Sequence, residues 1–199
     1  MIRWLTLSLL LLPGCLGQSK PSSMAAARAH IGTMSPAQQK AGLILVSTSK
    51  GGQVATLRPI GLNRGVRTWL SPDQVSLSYH GGVLVATRGL GGDLMAADFV
   101  APWQAKTNPY QRRASFLNAE NQIETITLTC RATTQALREI RGRLATRTDE
   151  RCGTSSDPIL NSFWRLADGT VWITRQWVSD PSGYLTTELI SSPPGAVAP

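Results

Sequence analysis

The chain has 199 residues, 20 lysines and arginines against 12 acids, and a net charge of +8. That length suits one domain with a real core. Two histidines and three cysteines leave little material for metal or redox chemistry, and no CxxC occurs, so thiol exchange and zinc both lack a signature.

The chain opens with Arg3 and a nine-residue, mainly apolar run from Trp4 to Leu12, followed by Pro13-Gly14-Cys15. A basic start, a short apolar run and a small residue before the cut make a secretory signal. The run is too short to span a bilayer, which needs roughly 20 apolar residues. A cut before cysteine is the lipobox pattern of bacterial lipoproteins, with Pro13 a departure from its preferred small residues. Residues 1–14 are therefore expected as the signal peptide and Cys15 as the lipidated first residue. Leu16 takes the place of the Asp that retains lipoproteins at the inner membrane, which favours an outer-membrane anchor facing the periplasm. Loss of Arg3 leaves a mature charge of +7. Such a balance suits a basic face near anionic lipid or acidic polysaccharide, or solubility alone. Nothing points to nucleic acid.

Residues 15–34 are small, polar and aperiodic, and read as a tether with a helical turn over Met24–His30. Ser35-Pro36 is an N-cap followed by proline at the first helical position, so a short helix is expected over Pro36–Lys40. From Leu43 onward short strand-like runs alternate with turns. Val75–His80 and Val83–Arg88 flank Gly81-Gly82, a pair that supplies the positive φ of a two-residue hairpin turn. That turn sets Tyr79 opposite Leu84 and Leu77 opposite Ala86, with Val75, Leu77, Tyr79, Leu84 and Ala86 on the core face and His80 exposed. Gly89–Asp93 lacks the spacing of a phosphate loop. It reads as a tight turn, with Asp93 capping a helical turn or two over Leu94–Phe99.

Residues 100–112 read as loop. A second hairpin follows, Ala114–Leu117 and Gln122–Arg131 around Asn118–Asn121, and Glu124, Ile126, Leu128 and Cys130 share a face of its long strand. Leu137–Arg141 and Leu144–Cys152 continue the meander about Gly142. If Cys15 carries lipid, Cys130 and Cys152 remain as an even pair in an oxidising compartment, where a disulfide is expected. It would close a ring of about 23 residues, worth about 3 kcal/mol. Arg131, Arg138, Arg141, Arg143, Arg147 and Arg151 crowd this region. They read either as a solvated strand face or as a basic patch for anionic glycan or lipid headgroups. In the last third, Phe163–Leu166 and Val171–Val178 flank Asp168-Gly169. A two-residue turn there sets Leu166 opposite Val171, Trp164 opposite Ile173 and Arg165 beside Trp172. Tyr184–Ile190 is the last strand, and the proline-rich residues 193–199 form a loose tail.

Frequent turns and almost no helical periodicity predict an all-β fold, an antiparallel β-sandwich or barrel-like meander with a few short helical turns, over residues 35–192. A membrane barrel is disfavoured, for want of an aromatic girdle and of an apolar lipid face on every strand. No catalytic constellation stands out. His30 and His80 have no motif, GxSxG is absent, and most acids sit in turns or among arginines. No catalytic residue, metal site or cofactor is expected. Arg138, Arg141 and Arg143, with Trp103 and Trp172 as surface aromatics, are the candidate glycan or anion contacts. A hydrolase would need two carboxylates across a groove.

The ending Trp164…Asp168-Gly169-Thr170-Val171-Trp172-Ile173-Thr174-Arg175-Gln176-Trp177-Val178 resembles that of the YjbF/GfcB family of exopolysaccharide and capsule lipoproteins. So does Gly82-Val83-Leu84-Val85-Ala86-Thr87-Arg88-Gly89-Leu90. The resemblance covers roughly residues 43–190, in these two islands with weakly matched sequence between. Thr174 departs from the Ser expected there. The resemblance implies an outer-membrane lipoprotein accessory to exopolysaccharide or capsule production or export, touching other envelope proteins. It implies no catalytic activity and no functional residue beyond the lipidated cysteine. The alternatives are a periplasmic module binding acidic polysaccharide through the arginines and exposed tryptophans and, further off, a glycan hydrolase.

Overall fold

The computed structural model describes residues 23–117, 122–153 and 157–193. The proposed signal, Cys15, the turn over 118–121 and most of the proline-rich tail lie outside these residues.

Two helices precede the strands. α1 (Met24–Gly32) starts at Ser23, whose hydroxyl accepts from the Ala26 N–H at 3.1 Å. Ala27 and Ile31, one turn apart, bury against Leu43 and Leu45. A segment expected as tether with a helical turn is thus part of the packed body. α2 (Pro36–Lys40) has the bounds read from the sequence, and Ser35 and Gln38 close a reciprocal capping box.

The strands are β1 (Leu43–Thr48), β2 (Val54–Asn63), β3 (Val66–Leu70), β4 (Ser76–His80), β5 (Val83–Arg88), β6 (Leu94–Ala97), β7 (Tyr110–Leu117), β8 (Ile123–Thr134), β9 (Arg138–Ile140), β10 (Arg143–Cys152), β11 (Ile159–Leu166), β12 (Val171–Ser179) and β13 (Gly183–Ser191). All pairings are antiparallel. Their order is β5-β4-β3-β2-β1-β13-β12-β11-β10-β8-β7-β6, with β9 paired to β10 off this path. The fold is the expected all-β meander, in its barrel-like form. β2 makes the corner. Its first half pairs with β1 and its second half with β3, and a bulge between Pro59 and Gly61 bends it. Pro59 has no N–H to give a ladder, so a bulge is where a strand tolerates it.

The edges β5 and β6 meet without a ladder. Thr87 on β5 accepts the Leu94 N–H at 3.0 Å and donates to Asp93 at 2.8 Å, while Arg88 donates to the Leu94 carbonyl at 3.3 Å. Asp93 also accepts from the backbone of Gly89 and Leu90. It therefore folds the glycine-rich turn back on itself and caps no helix, and Leu94–Ala97 is a strand. Side chains from both halves of the sheet fill the interior. Ile44, Leu57, Trp69, Leu77 and Leu84 meet Leu94, Ala114, Val178 and Leu185. Gln176 crosses that interior, accepting the Leu84 N–H and donating to the Gly82 carbonyl, both at 2.9 Å.

Two hairpins depart from their expected register. Gly81 and Gly82 both have positive φ and Tyr79 faces Leu84 as expected, but a bulge after Ser78 then puts Leu77 opposite Thr87 instead of Ala86. At the β11–β12 turn the Leu166 N–H donates to the Thr170 carbonyl at 2.9 Å, so the loop has three residues, with Gly169 at φ +86°. Arg165 then pairs with Val171. Trp172 is the extra residue of a bulge, and the ladder returns to Trp164 opposite Ile173. The expected Leu166–Val171 and Arg165–Trp172 pairs do not form. β7 also begins earlier than read, at Tyr110, and Pro102–Gln104 is one turn of 3-10 helix.

Candidate functional site

Inward-facing side chains leave two openings at opposite ends of the barrel interior. The larger, about 540 Å³, lies where β2–β3, β4–β5 and β11–β12 turn and where the chain leaves β13. Ile44, Leu62, Trp69, Val171, Trp172 and Leu189 give it apolar walls. The smaller, about 300 Å³, lies beyond Leu57, Leu77 and Leu185. The larger falls within the roughly 300–1,000 Å³ usual for small-molecule sites.

Apolar surface dominates the larger cavity, and Thr170 and Ser192 are among its polar lining residues. The Tyr79 hydroxyl on β4 and the Thr187 hydroxyl on β13 bond each other at 2.7 Å across the interior. The Thr174 hydroxyl oxygen is buried and has no protein partner among the described residues. Arg67 and His80 complete the charged or titratable lining, which among the described residues holds no carboxylate. His80, expected exposed beside its turn, is half-buried and stacks on Phe99 with ring centroids 4.2 Å apart.

Burial raises the Tyr79 phenol above its ordinary value, with the Thr187 bond acting weakly the other way. The unfolded chain releases that proton near pH 10 and the folded chain only at higher pH. This contribution to stability is complete below pH 10 and is lost as pH rises above it. Tyr79→Phe is expected to cost about 1 kcal/mol at neutral pH, because Thr187 is left unpaired. The variant should lose less than the wild type between pH 9 and pH 11. Urea midpoints at both pH values measure this, and equal losses would show that Tyr79 carries no alkaline sensitivity.

Arg141, Arg143 and Arg147 of the arginine-rich region are engaged within the protein. Arg141 donates to Glu188 at 2.9 Å, and Arg28 of α1 donates to the same carboxylate from its Nε at 3.0 Å. One buried acid thereby ties α1 and the β9–β10 turn to β13. Arg147 pairs with Asp149 at 2.8 Å and lies 5.1 Å over Trp164. Arg143 lies 5.1 Å over Trp172. Trp172 is 5% exposed and is not the surface aromatic expected, because the bulge turns it into the cavity wall. Trp103 is half-buried, with Arg165 4.9 Å over its ring and Phe163 in an edge-to-face contact with ring centroids 5.4 Å apart. Arg138 is exposed on β9. The structure brings Arg143 and Trp172 together and gives Trp103 separate neighbours.

A buried charged centre went unread in the sequence. Glu150 on β10 is fully buried. It accepts from Arg112 at 2.7 Å, from Asn161 at 2.6 Å and from the Tyr110 hydroxyl. Asn161 in turn accepts the Trp177 N–H at 2.8 Å. Beside it, Cys130 and Cys152, directly opposite on β8 and β10, form the expected disulfide. Among the described residues Cys130, Glu150 and Cys152 are the one group spaced to hold a metal ion. The disulfide takes both sulfurs, so the residues do not fit that use.

The barrel resembles the crystal structure of the hypothetical lipoprotein YmcC from Escherichia coli (K12), with a TM-score of 0.64 and 18% identity. The match covers 89% of this chain and 99% of that one. No curated protein sequence matches the chain. The family model described as group 4 capsule polysaccharide lipoprotein GfcB, YjbF matches residues 25–190, from within α1 to within β13. The chain belongs to the YjbF family of capsule polysaccharide lipoproteins.

Proposed function

We propose that this protein is a non-catalytic accessory of capsule or exopolysaccharide production or export, lipid-anchored through Cys15 to the outer membrane and facing the periplasm. The family match over residues 25–190 carries this reading. The placement of the acids favours a structural over a hydrolytic use. Glu150 is sealed among Arg112, Tyr110 and Asn161, Glu188 is held by two arginines, and Asp149 is paired with Arg147. The engagement of Arg141 and Arg143 with Glu188 and Trp172 likewise favours docking to envelope proteins over glycan capture by those side chains.

The test is fractionation of cells expressing the wild type or Cys15→Ser, with capsular polymer measured in both and in a deletion strain. The wild type is expected in the outer membrane, the variant is expected to lose anchoring, and polymer is expected to fall in both defective strains. Unchanged polymer in the deletion strain would end the accessory reading.

A further inference from the structure

The larger cavity has the chemistry of a lipid-chain site, and its argument is independent of the capsule reading. A sugar presents a hydroxyl on most of its carbons, and each needs a partner once water is excluded. This lining offers few. The Tyr79 and Thr187 hydroxyls bond each other, the Thr174 oxygen is buried, the Thr170 and Ser192 hydroxyls are the others, and among the described residues no carboxylate or amide side chain lines the cavity. An aliphatic chain asks for none of these and gains from apolar walls. The opening adds two features. Arg67, half-buried close to the β2–β3 turn, has no ion-pair or hydrogen-bond partner for its side chain among the described residues. Leu62 lines the opening at 57% exposure, and Phe99, 58% exposed, stacks on His80 beside it. A cation and exposed apolar side chains around a largely apolar cavity match an amphiphile entering chain first.

We propose that this cavity binds the aliphatic chain of an anionic amphiphile, with the chain among Ile44, Trp69, Val171 and Leu189 and the head at Arg67 and His80. A free fatty acid and a membrane phospholipid share this chemistry.

The full chain carrying Cys15→Ser removes its own acyl chains as competitors. It is titrated with cis-parinaric acid, with the methyl ester of that acid, and with phosphatidylglycerol vesicles containing a parinaroyl chain. Trp69 and Trp172 line the cavity, so energy transfer from tryptophan reports occupancy. Saturable binding of about one acid per chain is expected. Arg67→Gln should weaken the acid about ten- to a hundredfold, the range of one charged hydrogen bond, and leave the ester unchanged. Leu189→Trp, which fills the cavity, should weaken both more than tenfold. Leu62→Glu changes an exposed position that does not endanger the fold, and should weaken the acid more than the ester. Uptake from vesicles would identify membrane lipid as a source, and uptake of the free acid alone would identify fatty acid. Absence of saturable binding, or affinities unmoved by Leu62→Glu and Arg67→Gln in folded protein, would overturn the proposal.

Discussion

Arg112→Ala is expected to destabilise the fold by about 3–5 kcal/mol, the cost of leaving a buried charge without its partner. Glu150 is fully buried and Arg112 is 7% exposed, so water screens neither. Tyr110 and Asn161 donate to the same carboxylate and remain in the variant, but they supply no positive charge. A chain of this size loses about 2–4 °C of thermal midpoint per kcal/mol, so a fall on the order of 10 °C is expected. The pair itself need not stabilise relative to apolar residues, because desolvation offsets much of its attraction. Arg112→Met combined with Glu150→Leu is therefore expected to cost less than the sum of the two single changes. Urea unfolding of the four proteins makes a double-mutant cycle. A loss below 1 kcal/mol for Arg112→Ala, or strict additivity, would show that the centre is not a coupled ion pair.

The second large effect belongs to the disulfide. Cys130 and Cys152 are separated by 22 residues and lie opposite each other across the β8–β10 ladder. Opening that ring frees the intervening hairpin in the unfolded chain and is expected to cost about 3 kcal/mol. Cys130→Ala with Cys152→Ala should unfold at the midpoint that the wild type shows in dithiothreitol, and added reductant should not move it further. A wild type indifferent to reductant would contradict this. Tyr110 pairs with Cys130, and Glu150 lies two residues before Cys152 on β10. Loss of the disulfide and loss of the ion pair are therefore expected to be non-additive, since each loosens the strands that position the other.

Local chemistry made much of this molecule readable. The Ser35-Pro36 start, the Gly81-Gly82 turn and the period-two pattern of Ile126, Leu128 and Cys130 each encode their structure within a few residues. The all-β class and the helix over Pro36–Lys40 followed from them. Compartment and cysteine parity were enough to pair Cys130 with Cys152. A face argument would also have found Glu150, since on a strand it shares the side of Cys152. Its partner Arg112 lies 38 residues away on β7, and Asn161 meets it only through the β10–β11 register, so no local signal joins the three.

The sequence by itself determined the all-β class, the short helix over Pro36–Lys40, the Gly81-Gly82 turn and the lipoprotein character of the family. The tertiary structure alone decided register, burial of the polar groups and the cavity. Bulges after Ser78 and at Trp172 each shift a ladder by one residue, and a one-residue shift reverses which side chains face inward. That is why Trp172 left the surface and Leu77 met Thr87. Asp93 could cap a helix or fold a turn by the same hydrogen bonds, and closure of β5 onto β6 chose the turn. The cavity belongs to no segment at all. It is the space left when side chains from several strands meet across the barrel, and only packing sets its size.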